Sequence, residues 1–337
     1  ETPIMYDMNH PTLAKYLNRF PARQYTIEHD DARYFLRFAA CFGQFLMAHD
    51  AVISYRNLPL RIYELTRYSF RKEQRGELAG LRRLRAFTMP DVHALCRDLK
   101  QGKKEFMRRY KLVEDTLTGI GFGKDEFEMG LRMTEEFLKK NKRFVQSLVR
   151  KFGKPALLEL WKERSFYFVL KYDLNFIDAL GKASALATDQ FDVENGKRYG
   201  ISYMDKDGRE KHPLVLHCSP SGAIERDIYA LLEKAHMGMR KGIRPSLPLW
   251  LAPTQIRMIP VSEAHIGLAK KYAKKMARNK IRADYDDRPE RVQKKIRDAE
   301  KEWIPYIVVL GEKEVGSEEI PVRMRSDGKL HSMSLKD

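Results

Sequence analysis

Cysteine is nearly absent: Cys41, Cys96 and Cys218 are the only three in 337 residues. So odd and sparse a set excludes a disulfide framework and points to a reducing compartment, the cytoplasm, where thiols stay free or hold metal. Long apolar runs are missing too. The longest tight cluster, Tyr306 to Leu310, falls far short of the roughly 18 residues of a membrane span, and no basic-then-apolar signal pattern opens the chain. Both absences argue against membrane insertion and secretion. No C-x-x-C or H-E-x-x-H spacing occurs, so spacing alone gives no zinc site, and there is no internal repeat or low-complexity tract. An initiating Met is lacking as well: the chain opens on Glu1-Thr2-Pro3, which reads as a piece of a longer protein.

Positive charge is what the chain has in excess. Its 63 Lys+Arg against 46 Asp+Glu leave a net charge of +17, while 43% hydrophobic and 32% charged residues give the balance of a globular protein. At roughly 150 residues per domain, two domains are expected. The excess is clustered, which is the condition for polyanion affinity. Residues 61–97 hold nine Arg/Lys and four Asp/Glu, and residues 266–282 hold seven basic residues and no acidic one. The second run also fits a solvated helix face.

Three prolines between 245 and 253 (Pro245, Pro248, Pro253) forbid continuous helix or central strand and mark a linker. Domains are therefore expected at 1–244 and 254–337. Beyond the linker, apolar runs alternate with helix-period stretches: 256–261, 264–279 with Leu268, Tyr272 and Met276 on one side, 281–285, 289–303, 306–310 and 320–324. That order implies a small α/β domain. Upstream, strands and long helices do not alternate, which suggests α+β. Strands are expected at 34–38, 60–71, 83–93, 175–192 and 212–217, with helices near Cys41 and over 221–236. Residues 74–80 would form a glycine-bearing hairpin loop. The charged, helix-periodic stretch 99–163 (Phe106, Tyr110, Val113; Phe137, Phe144, Leu148) reads as an inserted helical layer without chemistry.

A strand over 83–93 would place Arg83, Arg85, Phe87, Met89, Asp91 and His93 on one face by its period of two, and the preceding strand would group Arg67, Ser69, Arg71 and Glu73. So much arginine on one face needs an anion to satisfy it. Phosphate suits guanidinium forks, although exposed strands with a salt-bridged outer face would look the same. Cys41, His93 and His217 each end a strand or open the next element. Elements ending at a common edge can converge, which the count by itself does not establish. Finally, 217–227 runs from strand into helix, with Ser219 or Ser221 as N-cap and Arg226 about one turn inside.

In this order the three stretches resemble the motifs of class II aminoacyl-tRNA synthetases, most closely the archaeal-type threonyl family. Pro3 is similar to the terminal proline of motif 1. Phe70-Arg71-Lys72-Glu73 with Gly80 to Thr88 resembles motif 2, and Ser221-Gly222-Ala223-Ile224-Glu225-Arg226 resembles motif 3. The segment from Trp250 onward resembles the anticodon-binding domain. The resemblance implies an antiparallel catalytic sheet flanked by helices, starting within motif 1, and ATP-dependent ligation of threonine to tRNA(Thr) with Mg2+ and Zn2+.

Carried over residue by residue, the resemblance makes Cys41, His93 and His217 the zinc ligands, leaving one open position where threonine binds through its amino group and hydroxyl. Asp91 would accept from that hydroxyl and Tyr167 would sit near the amino group. Arg71 would bridge the substrate carboxylate and the α-phosphate. Phe87 would stack on adenine, Glu73 would meet its amino group, and Arg83 and Arg226 would grip the triphosphate. Lys171 and Gln190 match further positions of the ATP or substrate pocket, and Glu314 and Arg323 match anticodon-base contacts. Met89 departs from the glutamine of bacterial relatives, and the motif 3 run is poorer in glycine than in many class II enzymes. The motif 1 helix, which builds the homodimer interface in the family, would precede Glu1. An editing function would lie in a preceding domain or in a separate editing protein. The alternatives are a class II synthetase for Ser or Pro and a non-catalytic RNA-binding or accessory relative.

Overall fold

The structure is a computed structural model that describes residues 1–17 and 23–334. It divides into two compact units, Glu1–Leu232 and Glu233–Asp337. Unit 1 opens with β1 (Met5–Asp7), α1 (Pro11–Leu17), β2 (Tyr25–His29), β3 (Ala32–Leu36) and α2 (Cys41–Asp50). It continues with β4 (Leu60–Phe70), β5 (Ala86–Cys96), α3 (Leu99–Gly119), β6 (Phe127–Thr134), α4 (Glu135–Phe152), β7 (Ala156–Trp161), β8 (Phe168–Ile177) and β9 (Ala183–Asp192). Then come α5 (Asn195–Arg198), β10 (Tyr203–Met204), β11 (Glu210–Lys211), β12 (Leu214–Ser219) and α6 (Ile224–Met239), which runs on into unit 2.

Seven strands form the central sheet in the order β4-β5-β12-β9-β8-β6-β7. All neighbours are antiparallel except β6 and β7, which α4 joins as a crossover. Helix α3 covers one face. Asp98 caps its first turn by accepting from Gln101 N–H (2.7 Å), and Phe106, Tyr110, Val113 and Leu117 form a buried stripe at helical spacing. Phe106 and Tyr110 both meet Tyr172 of β8 edge-on, with ring centroids 5.5 Å apart. Each such buried side chain contributes roughly 1.5–3 kcal/mol, so this stripe fixes which side of the sheet is left for the site.

The stretch 99–163 is not the purely helical insertion expected. Phe127, Met129, Leu131 and Met133 alternate with Glu128 and Arg132 and make β6, an interior strand; this period-two pattern lies hidden between two charged helices. The expected strand 175–192 is two: β8 and β9 turn at Asp178, whose Oδ1 accepts from Leu180 and Lys182 N–H. Strand β5 starts at Ala86, so Arg83 and Arg85 precede it.

Unit 2 contains β13 (Ile256–Pro260), α7 (Ile266–Arg278), β14 (Ala283–Tyr285), α8 (Val292–Lys301), β15 (Tyr306–Leu310), β16 (Glu319–Met324) and β17 (Leu330–Ser334), the last not foreseen. The order is β14-β13-β15-β16-β17, with β13 parallel to β14 and β15. Met258 and Val308 pack with Tyr272 of α7, while Ile259 and Ile307 pack with Ala299 of α8. Alternate strand residues thus face opposite helices, giving the α/β layers expected. Among the described residues no helix is long and apolar enough to cross a membrane.

Candidate active site

The open face of the seven-stranded sheet carries the site, and strand register assembles it. Ile62, His93, His217, Gln190 and Lys171 stand directly opposite one another across β4, β5, β12, β9 and β8. Cross-strand partners share a face, so Lys171, Gln190, His217 and His93 line one row. Glu64 stands opposite Asp91, and Thr66 opposite Met89, in the rows that follow.

A one-residue bulge then decides where Arg71 goes. Between Thr66 and Ser69 the register with β5 shifts, so Ser69 faces Phe87. Tyr68 takes up the extra residue with φ of 59°. The site face passes from even-numbered to odd-numbered residues of β4, and Arg71, bonded through its N–H to Arg85 O (2.7 Å), falls on the same face as Phe87 and Asp91. The expected grouping of Arg67 with Ser69 and Arg71 is corrected by the same bulge: Arg67 turns out to solvent and pairs with Glu1.

Cys41, which opens α2, meets the two histidines. Cys41 Sγ lies 3.3 Å from His93 Nε2 and 3.5 Å from His217 Nδ1, and the two nitrogens are 3.1 Å apart. Zinc bonds of about 2.3 Å to sulfur and 2.0–2.1 Å to nitrogen imply tetrahedral edges of about 3.3–3.6 Å, so the trio fits one ion. The outer contacts agree. His93 Nδ1 lies 2.6 Å from Gln44 Oε1 and His217 Nε2 lies 2.7 Å from Asp192 Oδ2. Neither acceptor can donate, so both rings must carry their hydrogen on the outer nitrogen and aim a lone pair at the sulfur, the arrangement of metal-bound histidine. Asp192 is fully buried and accepts from the backbone N–H groups of Glu194 and Asn195 and from the Asn195 side-chain amide. Burial, reinforced by Asp91 and Asp192, pushes the Cys41 thiol well up. Burial and the neighbouring His217 push His93 well down. A bound cation would oppose the first effect by favouring thiolate.

Around the trio, Tyr167 donates to Gln190 Oε1 (2.5 Å) and its ring lies 5.3 Å from that of His217. Asp91 accepts from Thr66 Oγ1 (2.9 Å), and burial pushes its carboxyl up to about 7. Lys171 reaches Asp173 (3.1 Å). Arg226 is held by two carbonyls, donating through Nε to Arg82 O (3.0 Å) and through Nη1 to Ala185 O (2.9 Å), and stands close enough to Arg71 and Arg83 to feel their charge. Gly222 permits this approach: a side chain there would meet Leu186 O at 2.6 Å, and its φ is +70°. The neighbouring Glu225 accepts from Thr88 N–H with both oxygens (3.0 Å), serving β5 beyond the end of β12. Glu73 is clasped by Arg83 and Arg23.

In unit 2, Glu314 lies past the end of β15 and caps Gly311 N–H (2.9 Å). Arg323 faces Ile307 near the start of that strand. The two do not form one cluster; Arg323 instead lines a cavity of about 270 Å³ with Arg244 and Arg325.

Residues 25–235 match the family described as tRNA synthetase class II core domain (G, H, P, S and T). The chain belongs to this class II synthetase family. Residues 255–337 of this class II chain match the family described as anticodon binding domain. Over all 337 residues it is 59% identical to threonine–tRNA ligase of Pyrococcus horikoshii and 56% identical to that of Nitrosopumilus maritimus. It spans 54% of the length of each, about half. Among solved structures, the RNA binding domain of threonyl-tRNA synthetase from Cryptosporidium parvum superposes with a TM-score of 0.82 at 23% identity, over 99% of this chain and 82% of that one. Prolyl-tRNA synthetase of Giardia lamblia gives 0.76 at 15%, over 100% and 64%; these two likenesses speak to fold.

Gln44, Asp192, Thr66 and Arg23 went unnoticed in the sequence. Gln44 had a signal, three residues after Cys41 on one helix face; the others depend on register and long-range contact.

Proposed function

We propose that this chain carries the threonine-activating core and the anticodon-binding part of a threonine–tRNA ligase, working in the cytoplasm on threonine, ATP and tRNA(Thr). The observation that carries the reading is the convergence of Cys41, His93 and His217 on one face with Asp91, Tyr167 and Arg71. Identity of 56–59% to threonine–tRNA ligases supports the substrate.

Zinc held by the trio would supply a Lewis-acidic position that distinguishes an amino acid bearing a hydroxyl from isosteric valine. The chain's own residues do the rest. Asp91, opposite Glu64 and bonded to Thr66, accepts from the threonine hydroxyl, and Tyr167, braced by Gln190, packs beside the amino group. Gln190 and Lys171 complete that wall. Arg71 holds the threonine carboxylate against the α-phosphate. The carboxylate is already ionised and needs no general base: its oxygen bonds to the α-phosphorus as the bond to the β-phosphate oxygen breaks, and pyrophosphate departs. Arg71 and Arg226 face the charge that develops, and because two carbonyls hold Arg226 in place, little reorganisation is required. Phe87 stacks on adenine, Glu73 meets its amino group, Arg83 grips the phosphate tail, and Mg2+ accompanies ATP. The terminal ribose hydroxyl of tRNA then attacks the adenylate carbonyl: its oxygen forms the threonyl ester as the bond from that carbon to the phosphate oxygen breaks, and AMP and the hydroxyl proton are released. Lys270, Lys271, Lys274 and Lys275 of α7 meet RNA phosphates, and Glu314 and Arg323 read separate bases. The full-length protein would be a homodimer, with editing of Ser-tRNA in cis or by a separate protein.

The test is mass spectrometry of the protein mixed with ATP and threonine, proline or serine, followed by charging of tRNA(Thr) transcript. Threonyl-adenylate and Thr-tRNA are the expected products. Prolyl-adenylate alone, or no adenylate with a metal-loaded chain, overturns the reading.

A further inference from the structure

The loop between β4 and β5 is closed by four charged side chains that motif matching does not group. Glu73, whose side chain is 3% exposed, takes Arg23 Nη1 (2.8 Å) and Arg83 Nη2 (2.8 Å) on the same oxygen. Glu77 takes the same two arginines, Arg23 at 2.7 and 3.2 Å and Arg83 at 3.1 Å. Two carboxylates thus share two guanidinium groups in a closed square. Arg23 lies 50 residues before Glu73, just ahead of β2, and its backbone O accepts from Lys72 N–H (3.1 Å). Arg71 stands at the edge of the square, 3.6 Å from Glu73.

We infer that Arg23 is a positioning residue for ATP: by neutralising Glu73 and Glu77 it leaves Arg83 free to turn from those carboxylates to the phosphates. The inference rests on the reading of Arg83 as a phosphate-gripping residue. With Arg23 present, the departure of Arg83 leaves both carboxylates still bonded to a guanidinium group, that of Arg23. Without Arg23, the same departure takes from both carboxylates the two guanidinium groups of the square, so ATP must compete with both for Arg83. Glu77 responds to Arg23 in the same sense, since the Arg23 hydrogen bond is the main cause holding its carboxyl down at about 2.

The test is ATP–pyrophosphate exchange with wild type, Arg23→Ala, Arg23→Lys, Glu77→Gln and the double variant Arg23→Ala/Glu77→Gln, with KM measured separately for ATP and threonine. Arg23→Ala should raise KM for ATP about fivefold, the scale of one partly exposed ion pair, with kcat and KM for threonine unchanged. Arg23→Lys should fall between, because one ammonium cannot fork across both carboxylates. Glu77→Gln alone should lower KM for ATP, and the double variant should return it toward wild type. An unchanged KM for ATP in Arg23→Ala overturns the inference, and so does an equal rise in the double variant. If Arg23→Ala does not fold, Glu77→Gln decides, and an unchanged or raised KM there overturns it. Absence of exchange in wild type would instead strike the reading of the chain as an activating enzyme.

Discussion

His93 and His217 stand opposite each other on β5 and β12, Nε2 to Nδ1 3.1 Å apart. Each donates its other ring N–H to a buried acceptor, Gln44 Oε1 at 2.6 Å and Asp192 Oδ2 at 2.7 Å. Those outer bonds fix the tautomers, so they should control metal affinity without touching metal. Gln44→Leu and Asp192→Leu should each weaken zinc binding about 10- to 100-fold, read by competition with a chromophoric chelator. Affinity within twofold of wild type in both would show that the rings orient themselves.

Arg226 should affect the chemical step and not the fold. Its carbonyl partners Arg82 O and Ala185 O lie in segments with other anchors. Arg226→Ala should lower kcat for adenylate formation about 10²- to 10³-fold, as loss of a preorganised donor does, with the thermal midpoint nearly unchanged. Arg226→Lys should recover little, since one ammonium cannot reach both carbonyls and a phosphate. A parallel collapse of thermal stability would make the residue structural.

On the opposite face of the sheet, Arg109 of α3 and Asp189 of β9 form a two-pronged pair with side chains 3% and 0% exposed. Asp189→Asn or Arg109→Met leaves one charge buried alone. Each should cost about 3–5 kcal/mol of stability, read by urea unfolding of the chain. The double variant Arg109→Met/Asp189→Leu should recover most of it.

Acid should act through Glu64. Burial alone would raise its carboxyl, but hydrogen bonds from Thr2 N–H and hydroxyl, with the buried Arg37 guanidinium, outweigh that and hold it below the ordinary value. A carboxyl lowered in the folded state contributes stability above its unfolded pKa, about 4.3. That contribution drains away as pH falls through the lower folded value. Urea midpoints of wild type should therefore decline below about pH 4.3 more steeply than those of Glu64→Gln, which lacks the titrating group. Parallel acid limbs would remove Glu64 from the account.

Period and turn signals made the strands and helices around this site legible in the sequence, whereas the grouping of Cys41, His93 and His217 rested on the motif resemblance. Of the three, only Cys41 stands at the junction expected, opening α2; His93 lies inside β5 and His217 inside β12, where strand register and not chain order sets them opposite each other, while the alternation Phe87, Met89, Asp91, His93 holds along β5. Counting by twos failed on β4, where Tyr68 absorbs the bulge residue and only the partner strand reveals the shift. Strand β6 was missed because its buried alternation is short and flanked by helices whose charge dominates any window. Asp192 and Arg23 act through contacts 25 and 50 residues away, which no local pattern encodes.

On the proposed function, a metal held by Cys41, His93 and His217 selects threonine for activation. ATP–pyrophosphate exchange with threonine, serine and valine, before and after stripping with a chelator and after zinc is restored, tests it most directly. Exchange with threonine, weaker exchange with serine and none with valine are expected, with loss of both on stripping and recovery with zinc. Exchange with threonine that is indifferent to metal removal, or valine activated as readily as threonine, would contradict it.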